Sequence, residues 1–218
     1  MAADVSDAAA AESLAERLAG IAGMIKVGLE LFTAEGPDAV RRLRAYLPVF
    51  LDLKLHDIPN TVARAARNAG RLGASMLTVH ALGGEDMVRA AVEGAAEGAA
   101  EAGVEPPAVI GITVLSSLAE QAGASPASLA FEAAEAGAKG VVVSGDDVKH
   151  VREALGPDLL IVVPGIRPSG LGANDHARVL TPAEALELGA DYLVVGRPIT
   201  EAPDPAEAAR LVQREIGE

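Results

Sequence analysis

Short apolar runs rich in Val, Ile and Leu alternate along the chain with longer Ala/Glu/Arg stretches. The apolar positions of those stretches recur at helical spacing. The short runs predict strands over Met24–Val27, Val49–Leu53, Met76–His80, Ala108–Thr113, Gly140–Ser144, Leu160–Val163 and Tyr192–Gly196. Between and beyond them the pattern predicts helices over Ser6–Ala19, Gly36–Ala45, Thr61–Leu72, Asp86–Ala102, Ser125–Ala136, Asp147–Leu155, Pro182–Leu188 and Pro205–Ile216. Strand–helix alternation at this rhythm implies parallel βαβ units with right-handed crossovers. Seven strands are clear, and the only material for an eighth is the stub Met1–Asp4.

An open doubly wound sheet and a closed barrel both fit that rhythm. Two features favour the barrel. No Gly-x-Gly-x-x-Gly follows the first strand, so the dinucleotide fingerprint is missing. Polar residues also gather at several strand C-termini: Asp4, Lys26, Asp52, Lys54, His80 and Arg197. A barrel brings such positions to one face. The expected architecture is therefore a single α/β domain over 1–218, a (β/α)8 TIM barrel with a shortened first strand. Because strands average about five or six residues, Met1-Ala2-Ala3-Asp4 looks too short to pair with both neighbours. From that we expect further Val-, Ile- or Leu-rich residues ahead of Met1 in the natural protein. The Ala/Gly-rich helix Asp86–Ala102 points to close packing or modest local stability, not chemistry.

Composition narrows the function. Half of the 218 residues are hydrophobic, enough for a sizeable core. Eighteen Lys+Arg against 31 Asp+Glu give a formal charge of −13, which argues against non-specific nucleic-acid or membrane-surface binding. With no Cys there is no disulfide, thiol catalysis or Cys-based zinc site. No apolar run is long enough to span a bilayer, and Met1 opens no signal peptide, so a cytoplasmic enzyme or binding protein is expected.

The sharpest chemical segment is Phe50-Leu-Asp52-Leu-Lys54-Leu-His-Asp57-Ile58-Pro-Asn-Thr61. Side chains alternate along a strand, so Leu51 and Leu53 face helices while Asp52 and Lys54 face the barrel mouth. A buried structural ion pair reads as well as a site from spacing alone. Asp57, at the end of the run, shifts the balance toward a site. Only four residues are Lys: Lys26, Lys54, Lys139 and Lys149. A chain that otherwise uses Arg has placed Lys26 and Lys54 in strands, and Lys can give up a proton where Arg cannot. Val163-Pro-Gly-Ile-Arg167-Pro and Gly196-Arg197-Pro follow the last two strands, where glycine-rich loops and Arg suit a phosphate. His80 reads equally as a mouth histidine or a ligand, and Ser116-Ser117 as a ligand contact or a cap. No His/carboxylate group has metal spacing.

These segments resemble a known family. Asp52-Leu-Lys54-Leu-His-Asp57-Ile58-Pro-Asn-Thr61, Lys26-Val-Gly-Leu-Glu-Leu-Phe, Pro164-Gly-Ile-Arg167-Pro and Val195-Gly196-Arg197-Pro-Ile-Thr are similar, in order and separation, to the signatures of orotidine 5'-monophosphate decarboxylases of the bacterial type. Related phosphosugar decarboxylases and synthases share Asp-x-Lys-x-x-Asp but lack the Ile-Pro-Asn-Thr tail, and they use Mg2+. The resemblance implies a homodimeric (β/α)8 barrel that makes UMP and CO2 from orotidine 5'-phosphate without a cofactor or metal. It implies a charged tetrad of Lys26, Asp52, Lys54 and Asp57, with Lys54 as proton donor. It further implies that Asp57, Ile58 and Thr61 reach into the partner's site, Asp4 binds the ribose, Ser116 holds the pyrimidine edge, and Arg167, His176, Gly196 and Arg197 hold the phosphate.

Two departures stand out. The phosphate loop carries Asp175-His176 where bacterial members usually have Asp-Gln, leaving an imidazole to donate one hydrogen bond. The first strand is also cut short. The alternatives are a Mg2+-dependent phosphosugar decarboxylase or synthase, which the tail opposes, and a non-catalytic nucleotide-binding barrel, which intact Lys54, Asp52 and Asp57 oppose.

Overall fold

The computed structural model describes residues 1–114, 124–145, 147–169 and 180–217. Among them, seven strands form one parallel sheet in chain order: β1 (Ile25–Val27), β2 (Val49–Leu55), β3 (Met76–His80), β4 (Ala108–Ile112), β5 (Gly140–Val142), β6 (Leu160–Pro164) and β7 (Tyr192–Val194). The helices are α1 (Ala8–Leu18), α2 (Leu29–Glu35), α3 (Pro37–Leu43), α4 (Pro59–Arg71), α5 (Glu85–Ala102), α6 (Pro126–Glu135), α7 (Asp147–Leu155), α8 (Pro182–Glu187), α9 (Arg197–Thr200) and α10 (Pro205–Ile216). A 3-10 turn spans Ala81–Gly83. Among the described residues, no helix is long and apolar enough to cross a membrane.

Strand alternation divides the apolar side chains into two cores. Ile25, Val27, Val49, Leu51, Leu77, Val79, Val109, Val141, Val143, Ile161 and Val163 join the helices in the larger one. The alternate positions Phe50, Met76, Ile110 and Val162 make the second. Met24, Ala108, Val142, Leu160 and Val194 pack against that inner cluster. The sheet is therefore curled, and every strand or its flank contributes to the concave side. Above this apolar floor the inward positions turn polar, beginning with Lys26, Asp52 and Thr78.

The N-terminal stub does more than its length suggested. Ala2 N–H donates to the Val195 carbonyl at 2.8 Å, just past β7, and Ala3 N–H donates to the Lys26 carbonyl at 3.0 Å. Lys26 N–H returns a bond to the Met1 carbonyl at 2.8 Å, and Ala2 forms a parallel bridge with Lys26. The expectation that so short a segment would leave one edge unsatisfied is corrected. Because alternate backbone groups of an extended chain point opposite ways, one residue can bond each neighbour. Ala2 and Ala3 are buried, so small side chains suffice there.

Helices α4 and α5 meet backbone to backbone. A Cβ on Gly70 would lie 2.2 Å from the Ala95 carbonyl oxygen, one on Gly94 2.3 Å from that of Ala63, and one on Gly98 1.9 Å from that of Arg67. The glycine spacing of α5 is thus a packing seam, as its composition suggested. α2 and α9 were not foreseen. At seven and four residues they are too short for an amphipathic period to show, and α2 buries only Leu31.

Candidate active site

The C-terminal ends of the strands surround a cavity of about 360 Å³. Its polar lining comes from Asp4, Lys26, Asp52, Lys54, Ser144, Arg167 and Arg197, and its apolar lining includes Phe50, Ile112, Val142 and Val162. Polar groups converging over an apolar floor are the usual form of a small-molecule site.

Strand β2 builds the charged wall. Its ladder to β3 pairs Leu51 with Leu77 and Leu55 with Val79, so Asp52, Leu53 and Lys54 stand opposite Thr78 alone. This bulge bends the strand end and re-aims its side chains. Lys54 takes φ 51°, a left-handed conformation that is costly outside glycine. Its N–H, displaced from the ladder, donates to Thr78 Oγ1 at 2.8 Å. Leu51 and Leu53 still face the helices, while Asp52 and Lys54 face the cavity.

The charges form an alternating chain. Lys54 Nζ lies 2.7 Å from Asp52 Oδ2, Lys26 Nζ lies 3.4 Å from the same oxygen, and Lys26 Nζ lies 3.3 Å from Asp4 Oδ1. The second Asp52 oxygen, Oδ1, accepts from Thr78 Oγ1 at 2.9 Å. Burial pushes the Asp52 carboxyl up. The ammoniums of Lys26 and Lys54, with hydrogen bonds from Lys54 and Thr78, outweigh that and hold it below the usual carboxylate range. Gly28 makes room for the chain, since a Cβ there would meet Lys26 Nζ at 3.0 Å and Asp4 Oδ1 at 3.3 Å. His80 ends β3 with its ring centroid 5.2 Å from that of His56. Burial, then the charges of His56 and Lys54, lower its pKa against the opposing pull of Asp52.

The opposite wall carries the two arginines. Gly165 turns the chain out of β6 with φ 74°, which a glycine accepts without strain. Arg167 follows, buried at 7% exposure with its N–H bonded to the Leu180 carbonyl at 3.0 Å. Its Nε has no hydrogen-bond partner among the described residues, although the side chain lines the cavity. Gly196 and Arg197 open α9 on the same rim. A buried guanidinium whose Nε has no partner among the described residues suits an anion.

The sequence-derived set is thus largely brought together: Asp4, Lys26, Asp52, Lys54, Arg167, Gly196 and Arg197 all line the cavity. Asp57, Ile58 and Thr61 do not. Asp57 is exposed, with Oδ1 accepting from the Ile58 N–H at 2.6 Å, and Ile58 is 65% exposed ahead of α4. Ser116, Asp175 and His176 lie outside the described residues. Sequence reasoning missed Thr78 and Ser144. The signal for Thr78 was a polar residue on the inward side of Met76–His80, between outward Leu77 and Val79.

Curled parallel sheet, strand-end cavity, paired lysines and two arginines on one rim define an α/β protein whose site suits a small anionic ligand. Residues 1–212 match the family model described as Orotidine 5'-phosphate decarboxylase / HUMPS family. The chain is 50% identical over 226 residues to the orotidine 5'-phosphate decarboxylase of Paramagnetospirillum magneticum, covering 98% of this chain and 96% of that one. It is 54% identical over 215 residues to that of Anaeromyxobacter dehalogenans, covering 94% and 91%. The crystal structure of orotidine 5'-phosphate decarboxylase from Lactobacillus acidophilus superposes with a TM-score of 0.85 at 36% identity, covering 100% of this chain and 97% of that one. The enzyme of the same name from Pyrococcus horikoshii gives a TM-score of 0.81 at 29% identity, with 99% and 97% covered. The chain belongs to the orotidine 5'-phosphate decarboxylase / HUMPS family.

Proposed function

We propose that this site decarboxylates orotidine 5'-phosphate to UMP and CO2, the last step of UMP biosynthesis, in the cytoplasm and without a cofactor. The observation that carries the reading is the alternating chain of charges Asp4–Lys26–Asp52–Lys54 at the cavity wall, with Asp52 buried at its centre. Breaking the bond from C6 to the carboxylate leaves an electron pair on C6, with no ring carbonyl placed to delocalise it. The Lys54 ammonium stabilises that charge as it forms, then transfers a proton to C6. The resulting amine recovers a proton from water. Asp52, fixed between two ammoniums, sets where Lys54 points and stands against the departing carboxylate.

The rest of the reading follows from the family resemblance. Asp4 holds the ribose, Lys26 belongs to the charged tetrad beside it, and Arg167, Gly196, Arg197 and His176 hold the phosphate. Ser116 holds the pyrimidine edge. Phosphate binding is remote from C6, so its binding energy serves the transition state. The chain forms one domain over 1–218, and Met1–Asp4 closes the curled sheet as the short eighth strand of a (β/α)8 barrel. A second copy supplies Asp57, Ile58 and Thr61, which agrees with their exposure outside the cavity.

Purified protein is expected to consume orotidine 5'-phosphate, followed by its loss of absorbance, at the same rate with and without EDTA. No loss refutes the reading. A loss abolished by EDTA transfers the site to the Mg2+-dependent branch.

A further inference from the structure

We infer that Thr78 is a positioning residue for the reaction, a hydroxyl that orients both Asp52 and Lys54 without touching substrate. The inference rests on the function proposed above. Thr78 is fully buried at the centre of β3 and is not part of the cavity lining. A hydroxyl has one proton to give. Thr78 Oγ1 accepts from the Lys54 backbone N–H at 2.8 Å, and its own proton goes to Asp52 Oδ1 at 2.9 Å. One atom therefore sets two features of the reaction centre.

The first feature is the carboxylate. Asp52 places Oδ1 on Thr78 and Oδ2 on both ammoniums, at 2.7 Å from Lys54 and 3.4 Å from Lys26. Without the hydroxyl, Oδ1 loses its donor and the carboxylate is held at Oδ2 alone, so it can tilt about that contact. The second feature is the lysine backbone. Lys54 is held at φ 51° inside the bulge, where its N–H has left the β2–β3 ladder. A buried N–H without an acceptor is costly, so the hydroxyl is what makes this conformation tolerable. Rotation of the carboxylate or relaxation of the bulge displaces Lys54 Nζ, and displacements near an ångström are enough to cost turnover heavily.

Thr78→Val keeps the side-chain shape and removes only the hydroxyl; Thr78→Ser keeps the hydroxyl. Thr78→Val is expected to lower kcat for orotidine 5'-phosphate by at least about tenfold, or ~1.4 kcal/mol of barrier. KM and the Kd for UMP stay close to wild type, and Thr78→Ser recovers most of the lost kcat. If Thr78→Val does not fold, Thr78→Ala against Thr78→Ser gives the same comparison. A readout independent of turnover is the Asp52 carboxyl followed by 13C NMR, which is expected to titrate at higher pH once its donor is removed. Equal kcat in wild type and Thr78→Val, equal impairment of Thr78→Val and Thr78→Ser, or an unmoved Asp52 titration overturns the assignment. Wild type inactive on orotidine 5'-phosphate refutes the parent reading instead, and the titration then decides the Thr78 bond by itself.

Discussion

Lys54 combines three demands in one residue: a strained backbone, a charge against Asp52 and the proton for C6. Lys54→Ala removes the donor and its charge together, and alanine meets the same backbone conformation at no greater cost. Turnover is expected to fall by at least a thousandfold, ~4 kcal/mol of barrier. UMP binding and the circular dichroism spectrum should be retained. Single-turnover decarboxylation measures the loss, and activity within about tenfold of wild type would remove Lys54 from the chemistry. Asp52 carries a separate pH dependence. Its native carboxyl is depressed by Lys26, Lys54 and Thr78 against the cost of burial. That depression stabilises the native state above the unfolded pKa of ~3.9 and is lost as pH falls through the lower native value. The melting temperature of wild type is therefore expected to drop more steeply from about pH 5 to pH 3 than that of Asp52→Asn, which has no such proton to gain. Parallel slopes would show that Asp52 is not depressed. Most of this centre was legible in the sequence, since alternation alone aimed Asp52 and Lys54 inward. The bulge was not, because Leu-Lys-Leu carries no glycine or other sign of a left-handed residue.

At the level of elements, the α4–α5 seam makes a prediction opposite in sign to helix propensity. Alanine exceeds glycine in a free helix by about 1 kcal/mol. At Gly98 the added Cβ would lie 1.9 Å from the Arg67 carbonyl oxygen, so two helices must separate. Overpacking of this kind costs about 1–3 kcal/mol. Gly98→Ala is therefore expected to melt several degrees below wild type, while Glu97→Ala on the exposed face changes little. A Gly98→Ala protein as stable as wild type would mean that the helices stand further apart. Element positions were readable wherever period and length cooperated: β3 over Met76–His80 and α10 over Pro205–Ile216 match their expected bounds. Strand ends were less exact: β4 ends at Ile112, although Thr113 still sends its N–H to the Val142 carbonyl at 3.3 Å and its hydroxyl to the same oxygen at 2.8 Å.

For the whole molecule, the exposed pair Asp57 and Ile58 carries the test of assembly. If two copies share their sites, mixing inactive Lys54→Ala with inactive Asp57→Ala subunits rebuilds one intact site in each mixed dimer. Random exchange between them is expected to restore about a quarter of wild-type activity. Exchange verified by mass spectrometry with no return of activity would place Asp57 outside the partner's site. Sequence alone suggested this only through family resemblance, because exposure and the reach of a side chain across an interface leave no periodic trace.

The chain is also sewn together at its two ends. Ala2 bonds Val195, Arg17 pairs with Asp204 at 2.8 Å, and Gln213 Nε2 donates to the Ile21 carbonyl at 2.9 Å. Because synthesis runs from the N-terminus, the first segment emerges from the ribosome long before its second neighbour exists. Asp4 and the Arg197 wall meet only once β7 and the residues just past it are made, so the site is completed only after the seventh strand. Joining such distant partners is slow compared with forming local βα units. A nascent chain halted before Val195 thus carries all seven strands of the described sheet yet lacks Gly196 and Arg197, and the unpaired edge at Ala2 is a ready target for chaperones.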